Sequence, residues 1–363
     1  MKTLIVHREF QEAGGIGSLY KTLSKQFTQK IDHFECGSRT YESKRIPLYT
    51  FYRLLRDYLL FVIKITANRY DIIHINPTLD FKSTLRDAVF IILAKNRKRK
   101  VIVHFHGWFL WFEQKITGVY LHLFKYVFGK ADLFIVLSRH KKNCLEKWGF
   151  KQPILLMANA FDVDLTKDLN INSLITKRLE CKNPEILFLS RIIKEKGIFE
   201  TVDALPRVLS QFPQTKLLVG GDGNGLKDMK EAAKNLNTNN IEFLGYVNAE
   251  YKPQVFSRVY AFILPSYAEG MPISIIEAMA FGLPVVATAV GGIPDFFENG
   301  RHGVLLENAD PEKIADAIVF LLKDRNTYLQ IAHHNFNYAQ EHFISTVYSN
   351  QLENIYTHLY TGW

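Results

Sequence analysis

Short apolar runs alternate with longer amphipathic stretches along almost the whole chain. In the first half, LIV at 4–6, DIIHIN at 71–76 and VIVHFHG at 101–107 read as buried strands. Between and after them, helical patterns start at about Ser18 and cover 51–66 and 84–94, and 129–150 reads as strand, turn and helix. ILLMANAFDVD at 154–164 adds a further strand and turn. The same rhythm restarts after 185, with ILFLS, LLVGG, IEFLGYV at 241–247 and AFILP at 261–265 as strands. A helix is predicted from Pro311 to Lys323, with closing helices over 326–360. Strand followed by helix, repeated, argues an α/β protein with parallel sheets. The polar stretch 165–184, rich in Asn, Lys and Thr, is predicted as a linker between two such blocks. A chain of 363 residues is long for one domain and natural for two.

Candidate chemistry gathers at the ends of these strands. In PSYAEGMPISIIEAMAFGLP, residues 265–284, Glu269 and Glu277 are separated by seven residues. Pro272 is expected at the first helical position and Gly282 at the helix stop. Glu269 then lies on a strand-to-helix loop and Glu277 about a turn and a half into the helix. A helix N-terminus attracts anions and hydroxyls, and carboxylates accept hydrogen bonds from hydroxyls. A sugar nucleotide carries both groups, although a plain strand–loop–helix with two solvated glutamates fits these residues equally. Arg191 and Lys196 stand past the ILFLS strand, where fixed cations suit a diphosphate. Two glycine-rich turns, around Gly14 and Gly15 and around Gly221, only partly match a dinucleotide fingerprint. His104 and His106 share a strand face, but nothing near them in sequence supplies a third or fourth metal ligand. The Asp162 and Asp164 pair reads as a turn or cap.

The segment EGMPISIIEAMAFGLPVV closely resembles the E-x7-E segment of the retaining, nucleotide-sugar-dependent glycosyltransferases of family 4. The R-x4-K-G spacing at Arg191 and Lys196, the LLVGGDG turn and the GGIPD loop resemble the same family. Ala158-Asn159-Ala160 departs mildly from the family's P-N-G turn. The likeness is strong over 186–310 and weak over 30–130, the acceptor-binding part in that family. It implies the GT-B fold: two Rossmann-like domains with parallel sheets facing a central cleft, and a C-terminal helix crossing back to the first domain. The expected domains are 1–164 with the helix at about 341–363, and 185–340 for the donor. By the resemblance, His106, Arg191, Lys196 and Glu269 are catalytic. Donor contacts are implied at Gly14, Gly15, Arg191, Lys196, Gly221, Tyr246, Val247, Glu269, Gly270, Met271, Pro272, Ile273 and Glu277. Among these, Arg191 and Lys196 hold the pyrophosphate, Glu269 the sugar and Glu277 the ribose. Tyr246 and Val247 hold the base through backbone groups. The implied reaction moves a hexose-type sugar from a UDP-sugar, ranked ahead of a GDP-sugar, to a glycan or lipid-linked acceptor in surface polysaccharide or lipopolysaccharide synthesis. It needs no metal and no cofactor. The rivals are another GT-B enzyme (an epimerase or phosphorylase), a nicotinamide-dependent oxidoreductase, and a silent binding protein on the same fold.

Charge sharpens the choice of partner. Residues 1–160 hold 27 Lys and Arg against 12 Asp and Glu, whereas residues 161–363 hold 18 against 24. A basic first half, with KNRKRK at 95–100 and the apolar helix at 51–66, suits an anionic membrane face or an acidic acceptor. No nucleic-acid motif accompanies the charge. The opening apolar run of four residues is short for a signal peptide, and Cys36, Cys144 and Cys181 are odd in number and scattered. These point to a reducing cytoplasm, with docking on the inner face of the plasma membrane.

Overall fold

A computed structural model describes residues 1–10, 15–36, 47–236 and 238–362. The chain divides into two compact units, 1–158 with 345–363, and 159–344.

In the first unit the elements run β1 Thr3–His7, α1 Gly15–Leu23, β2 Ile31–Glu35, α2 Pro47–Ala67, β3 Ile72–Ile75, β4 Thr78–Leu79 and α3 Phe81–Asn96. They continue as β5 Lys100–Phe105, β6 Gly107–Trp108, α4 Leu110–Glu113, α5 Gly118–Phe128, β7 Leu133–Val136, α6 Arg139–Lys147 and β8 Ile154–Leu156. The main sheet is parallel throughout, in the order β2-β1-β3-β5-β7-β8. Its inner strands β1, β3 and β7 are wholly buried because helices cover both faces, so they read as continuous apolar runs rather than alternating ones. One apolar core joins β1, β3, β5 and β7 to Phe61 and Ile65 of α2, Phe90 of α3 and Phe124 and Phe128 of α5. The pattern at 51–66 is apolar nearly all the way round, yet only one side of α2 is buried. Phe51, Tyr52, Leu55, Leu59, Leu60 and Ile63 are exposed.

The second unit holds α7 Ile171–Glu180, β9 Glu185–Leu189, α8 Ile198–Gln211, β10 Lys216–Gly220, α9 Leu226–Asn235, β11 Ile241–Gly245 and α10 Lys252–Arg258. After these come β12 Ala261–Leu264, α11 Ile273–Ala280, β13 Val285–Thr288, β14 Gly303–Leu306, α12 Pro311–Lys323 and α13 Arg325–His342. Its parallel sheet runs β11-β10-β9-β12-β13-β14. The order reverses between β9 and β12, and ligands of such sheets bind beyond the strand ends at that reversal. The last helix, α14 Ser345–Thr361, belongs to the first unit. Its buried Glu353 accepts hydrogen bonds from the backbone N–H groups of Thr28 and Gln29, both at 2.7 Å.

The stretch expected to be a linker is not one. It contains α7, whose Leu174, Ile175 and Arg178 are buried within the second unit. The Arg178 guanidinium donates to the carbonyls of Phe281 at 2.8 Å and Phe256 at 2.7 Å. One cation satisfying two helix-end carbonyls outweighs the polar composition that suggested a loop. Helix α1 likewise starts at Gly15, three residues before the expected Ser18. The units part at 158, where 164 was expected, and the closing segment joins the first unit from 345.

The first unit also buries imidazoles. Burial pulls the pKa of His7 down from 6.5 to about 4 and that of His74 and His104 well below the usual value. Folded, these rings stay neutral; unfolded, they protonate below about 6.5. The unfolded chain thus binds more protons, and stability falls as pH drops from about 6.5 to about 4. His7 alone accounts for on the order of 3 kcal/mol at the acid end of that window. His104 is fully buried and neither ring nitrogen meets a protein partner. His104→Phe is expected to hold or raise Tm and to flatten its decline from pH 7 to 5. Parallel melting curves for both proteins check this, and equal slopes would contradict it.

Candidate active site

The reversal point of the second sheet gathers the expected donor residues. Arg191 follows β9 and is exposed, while Lys196 closes a short 3-10 turn, Lys194–Lys196, and is buried. Glu269 follows β12, the strand beside β9. Lys196 Nζ donates to Glu269 Oε1 at 2.6 Å, and Ser266 Oγ donates to the same oxygen at 2.7 Å. Both side chains of the ion pair are about nine-tenths buried, at 10% and 8% exposure. Two donors on Oε1 fix the carboxylate plane and leave Oε2 to accept from a ligand. Lys196 has three N–H donors, so one contact with Glu269 leaves it able to hold a phosphate as well.

Glu277 is buried in the second turn of α11. Both of its oxygens are gripped by Lys252 Nζ, at 2.6 and 2.8 Å. Lys252 opens α10, 25 residues earlier, and no motif marked it. Pro272 corrects one expectation: it is the N-cap of α11, not its first helical residue, with extended backbone at φ −72° and ψ 117°. A proline N-cap offers no side-chain acceptor, so the first N–H groups of α11 receive no cap from it. Asn159, the residue kept from the P-N-G turn, donates from Nδ2 to the Met271 carbonyl at 2.6 Å and so steadies this loop. Gly270 and Ile273 are half-buried beside the buried Met271 and Pro272.

Close approach requires glycine at Gly291 and Gly221, among others. Gly291 has φ +62°, and a Cβ there would lie 2.1 Å from the Glu269 carbonyl oxygen. Its neighbour Gly292 donates to the Gly270 carbonyl at 2.7 Å, so the GGIPD loop lies directly on the Glu269 turn. Gly221 has φ +132°, and a Cβ would lie 1.8 Å from the Ser190 carbonyl oxygen. Its N–H already donates to Gly245 at 2.7 Å, so its contribution is space rather than a hydrogen bond to a phosphate. That bond ties the turn to the end of β11, where Tyr246 is exposed and Val247 buried.

His106 lies in the first unit, at the end of β5. Asn76 Nδ2 donates to the Val6 carbonyl at 2.9 Å, which orients the amide. Asn76 Oδ1 then accepts from Tyr20 OH at 2.7 Å and from His106 Nε2 at 3.1 Å. With Oδ1 as the acceptor, His106 Nε2 carries the donating N–H. His104 lies 3.9 Å from the His106 ring and 5.4 Å from that of His74, so more imidazole is close by than the sequence suggested. Gly15 is the first residue of α1, and Gly14 lies outside the described residues. Asp162 caps the 3-10 turn Val163–Thr166 by accepting from Asp164 N at 3.1 Å.

The family described as glycosyl transferases group 1 matches residues 175–340, and glycosyltransferase family 4 matches 17–165. An uncharacterised glycosyltransferase of Methanocaldococcus jannaschii is 25% identical over 284 residues, covering 76% of this chain and 71% of its own. The capsular polysaccharide biosynthesis glycosyltransferase CapM of Staphylococcus aureus is 28% identical over 169 residues, 47% of this chain and 44% of its own. The Anabaena protein HepE, solved in complex with UDP, superposes with a TM-score of 0.78 at 20% identity, covering 98% of this chain and 100% of HepE. That likeness shows the shared GT-B fold.

Proposed function

This chain belongs to the glycosyl transferases group 1 family and is a glycosyltransferase, and from that premise we propose that it moves a hexose-type sugar from UDP, with retention and without a metal at the donor, to a glycan or lipid-linked acceptor. The observation that carries the reading is the 2.6 Å contact of Lys196 with Glu269. It joins the cation motif after β9 to the acid motif after β12 at the reversal of the sheet. The leaving nucleoside diphosphate develops negative charge that fixed donors must meet. Arg191, Lys196 and the N-terminal N–H groups of α11 meet it. Glu269 Oε2 accepts from the sugar hydroxyls, and Glu277, shared with Lys252, accepts from the ribose. The UDP bound to HepE and the capsular role of CapM support the choice of base and of product class.

A thermal-shift panel of UDP, GDP, ADP and their sugars, run in EDTA, tests the donor. UDP and one UDP-sugar are expected to raise Tm most. No shift with any nucleoside diphosphate would overturn the reading. Anomeric NMR of the product tests retention and separates transfer from epimerisation or phosphorolysis.

Gly291→Ala pushes the Glu269 backbone. A displacement of about 1 Å at a reacting group costs on the order of 10²-fold in rate. Steady-state transfer assays read this, and a rate within twofold of the parent would contradict the packing role.

The acceptor side is proposed to dock on an anionic membrane face. Among the described residues no helix is long and apolar enough to cross a membrane. The exposed side of α2 and Val119, Tyr120, Leu123 and Tyr126 of α5 nevertheless present apolar surface on a basic unit. Flotation with anionic and with neutral liposomes is expected to favour the anionic ones, and equal recovery would remove the electrostatic component.

A further inference from the structure

The first unit holds a second cluster of reactive side chains, none of them a donor-site candidate. His140 and Cys144 stand four residues apart on α6 and therefore share one face of the helix. Glu113, the last residue of α4, meets that face. His140 Nε2 lies 3.0 Å from Glu113 Oε2, and Cys144 Sγ lies 3.4 Å from Glu113 Oε1 and 3.5 Å from His140 Nε2. Among the described residues this is the one group of three His, Cys, Asp or Glu whose ligand atoms lie within 4.8 Å of one another.

Those separations have a chemical meaning. Thiolate, imidazole and carboxylate ligands held tetrahedrally at about 2.3, 2.05 and 2.1 Å from Zn²⁺ are spaced about 3.3–3.6 Å apart. Cys144 Sγ and His140 Nε2, 3.5 Å apart, already stand at that spacing, and each has one of the two Glu113 carboxylate oxygens within 3.4 Å before any ion arrives. A supporting contact is also in place: Trp108 Nε1 donates to Glu113 Oε2 at 2.5 Å. The Trp108 ring stacks on Trp148, the C-cap of α6, at 5.8 Å. The acceptor of Glu113 is thus oriented from the same side that packs α6. Metal ligands are commonly held by such outer hydrogen bonds.

We propose that Glu113, His140 and Cys144 bind one Zn²⁺ and that the ion clips α4 to α6. The Cys144 thiol gives up its proton as the Zn–S bond forms, and that proton leaves to solvent. Thiolate and carboxylate then balance the dication, neutral His140 completes the protein ligands, and water takes the fourth position. A sulfur ligand selects zinc over magnesium or calcium. The clip fixes the segment carrying Phe109, Leu110 and Trp111, all about half-exposed. The proposal is independent of the sugar-transfer reading.

The test uses tag-free, reduced, chelator-stripped protein titrated with Zn²⁺ against a chromogenic chelator, and with Co²⁺ for its spectrum. The expected result is uptake of one equivalent, with a thiolate-to-cobalt charge-transfer band and the strong d–d bands of a tetrahedral site. Cys144→Ser should abolish the charge-transfer band. Cys144→Ser and His140→Ala should each weaken Zn²⁺ binding by at least about 100-fold, and Trp108→Phe by about tenfold. Cys181→Ser, at an exposed position, should change nothing. Absence of stoichiometric uptake by the unmutated chain overturns the proposal and leaves a hydrogen-bonded trio. Equal uptake by Cys144→Ser and His140→Ala, both with unchanged far-UV circular dichroism, overturns it too.

Discussion

Lys196→Met is expected to lower sugar transfer by about 10²–10³-fold, the loss that follows removal of one preorganised donor to developing charge. It should also destabilise the chain by about 3–5 kcal/mol, because it strands a buried carboxylate without its cation. Glu269 keeps Ser266 as a donor, but a hydroxyl carries no charge to balance it. Glu269→Gln should destabilise similarly, leaving the buried Lys196 ammonium alone. The double variant Lys196→Met with Glu269→Gln separates the two effects. It should recover most of the lost stability, since no buried charge is left unmatched, while remaining inactive. Urea unfolding and transfer rates on all four proteins give the cycle. Normal turnover in Lys196→Met, or a double variant as unstable as the sum of the singles, would rule out this account.

Arg191→Ala should show the opposite pairing of effects. Arg191 is exposed at the end of β9, so its loss should move stability by no more than about 0.5 kcal/mol. In the proposed reaction its guanidinium bonds the leaving diphosphate through two N–H groups, and losing that contact should raise the barrier by roughly 2–4 kcal/mol. Arg191→Lys should recover only part of the rate, because an ammonium is a point charge without the fork. Undiminished turnover in Arg191→Ala would remove the residue from the reaction. A large fall in Tm would assign it a structural role instead.

Much of this was legible in the chain itself. The βα rhythm, the two blocks, the helix from Pro311 to Lys323 and the Glu269–Glu277 spacing are local patterns, and local backbone preference encodes them directly. The resemblance of 186–310 to one glycosyltransferase family is likewise a property of residue order alone. Composition misled at 165–184, where Asn, Lys and Thr suggested a loop. Helix α7 is held there by the Arg178 bonds to Phe281 and Phe256, 103 and 78 residues away. Pro272 misled by a single position, because its ring is as compatible with an extended N-cap as with a first helical turn.

Residue types and their order along the strands were determined by the sequence: which cations follow β9, which acids follow β12, and where glycine allows the chain to turn. Which groups meet was decided only by the tertiary structure. Strands β9 and β12 lie side by side because the sheet order reverses there, and that brings Lys196 to Glu269 across 73 residues. The same fold sets Lys252 on Glu277, and Asn76 between Tyr20 and His106. Glu113 reaches His140 and Cys144 in the same way. Hydrogen bonds and ion pairs act over about 3 Å, so separation along the chain carries no information about them until the sheets place their ends.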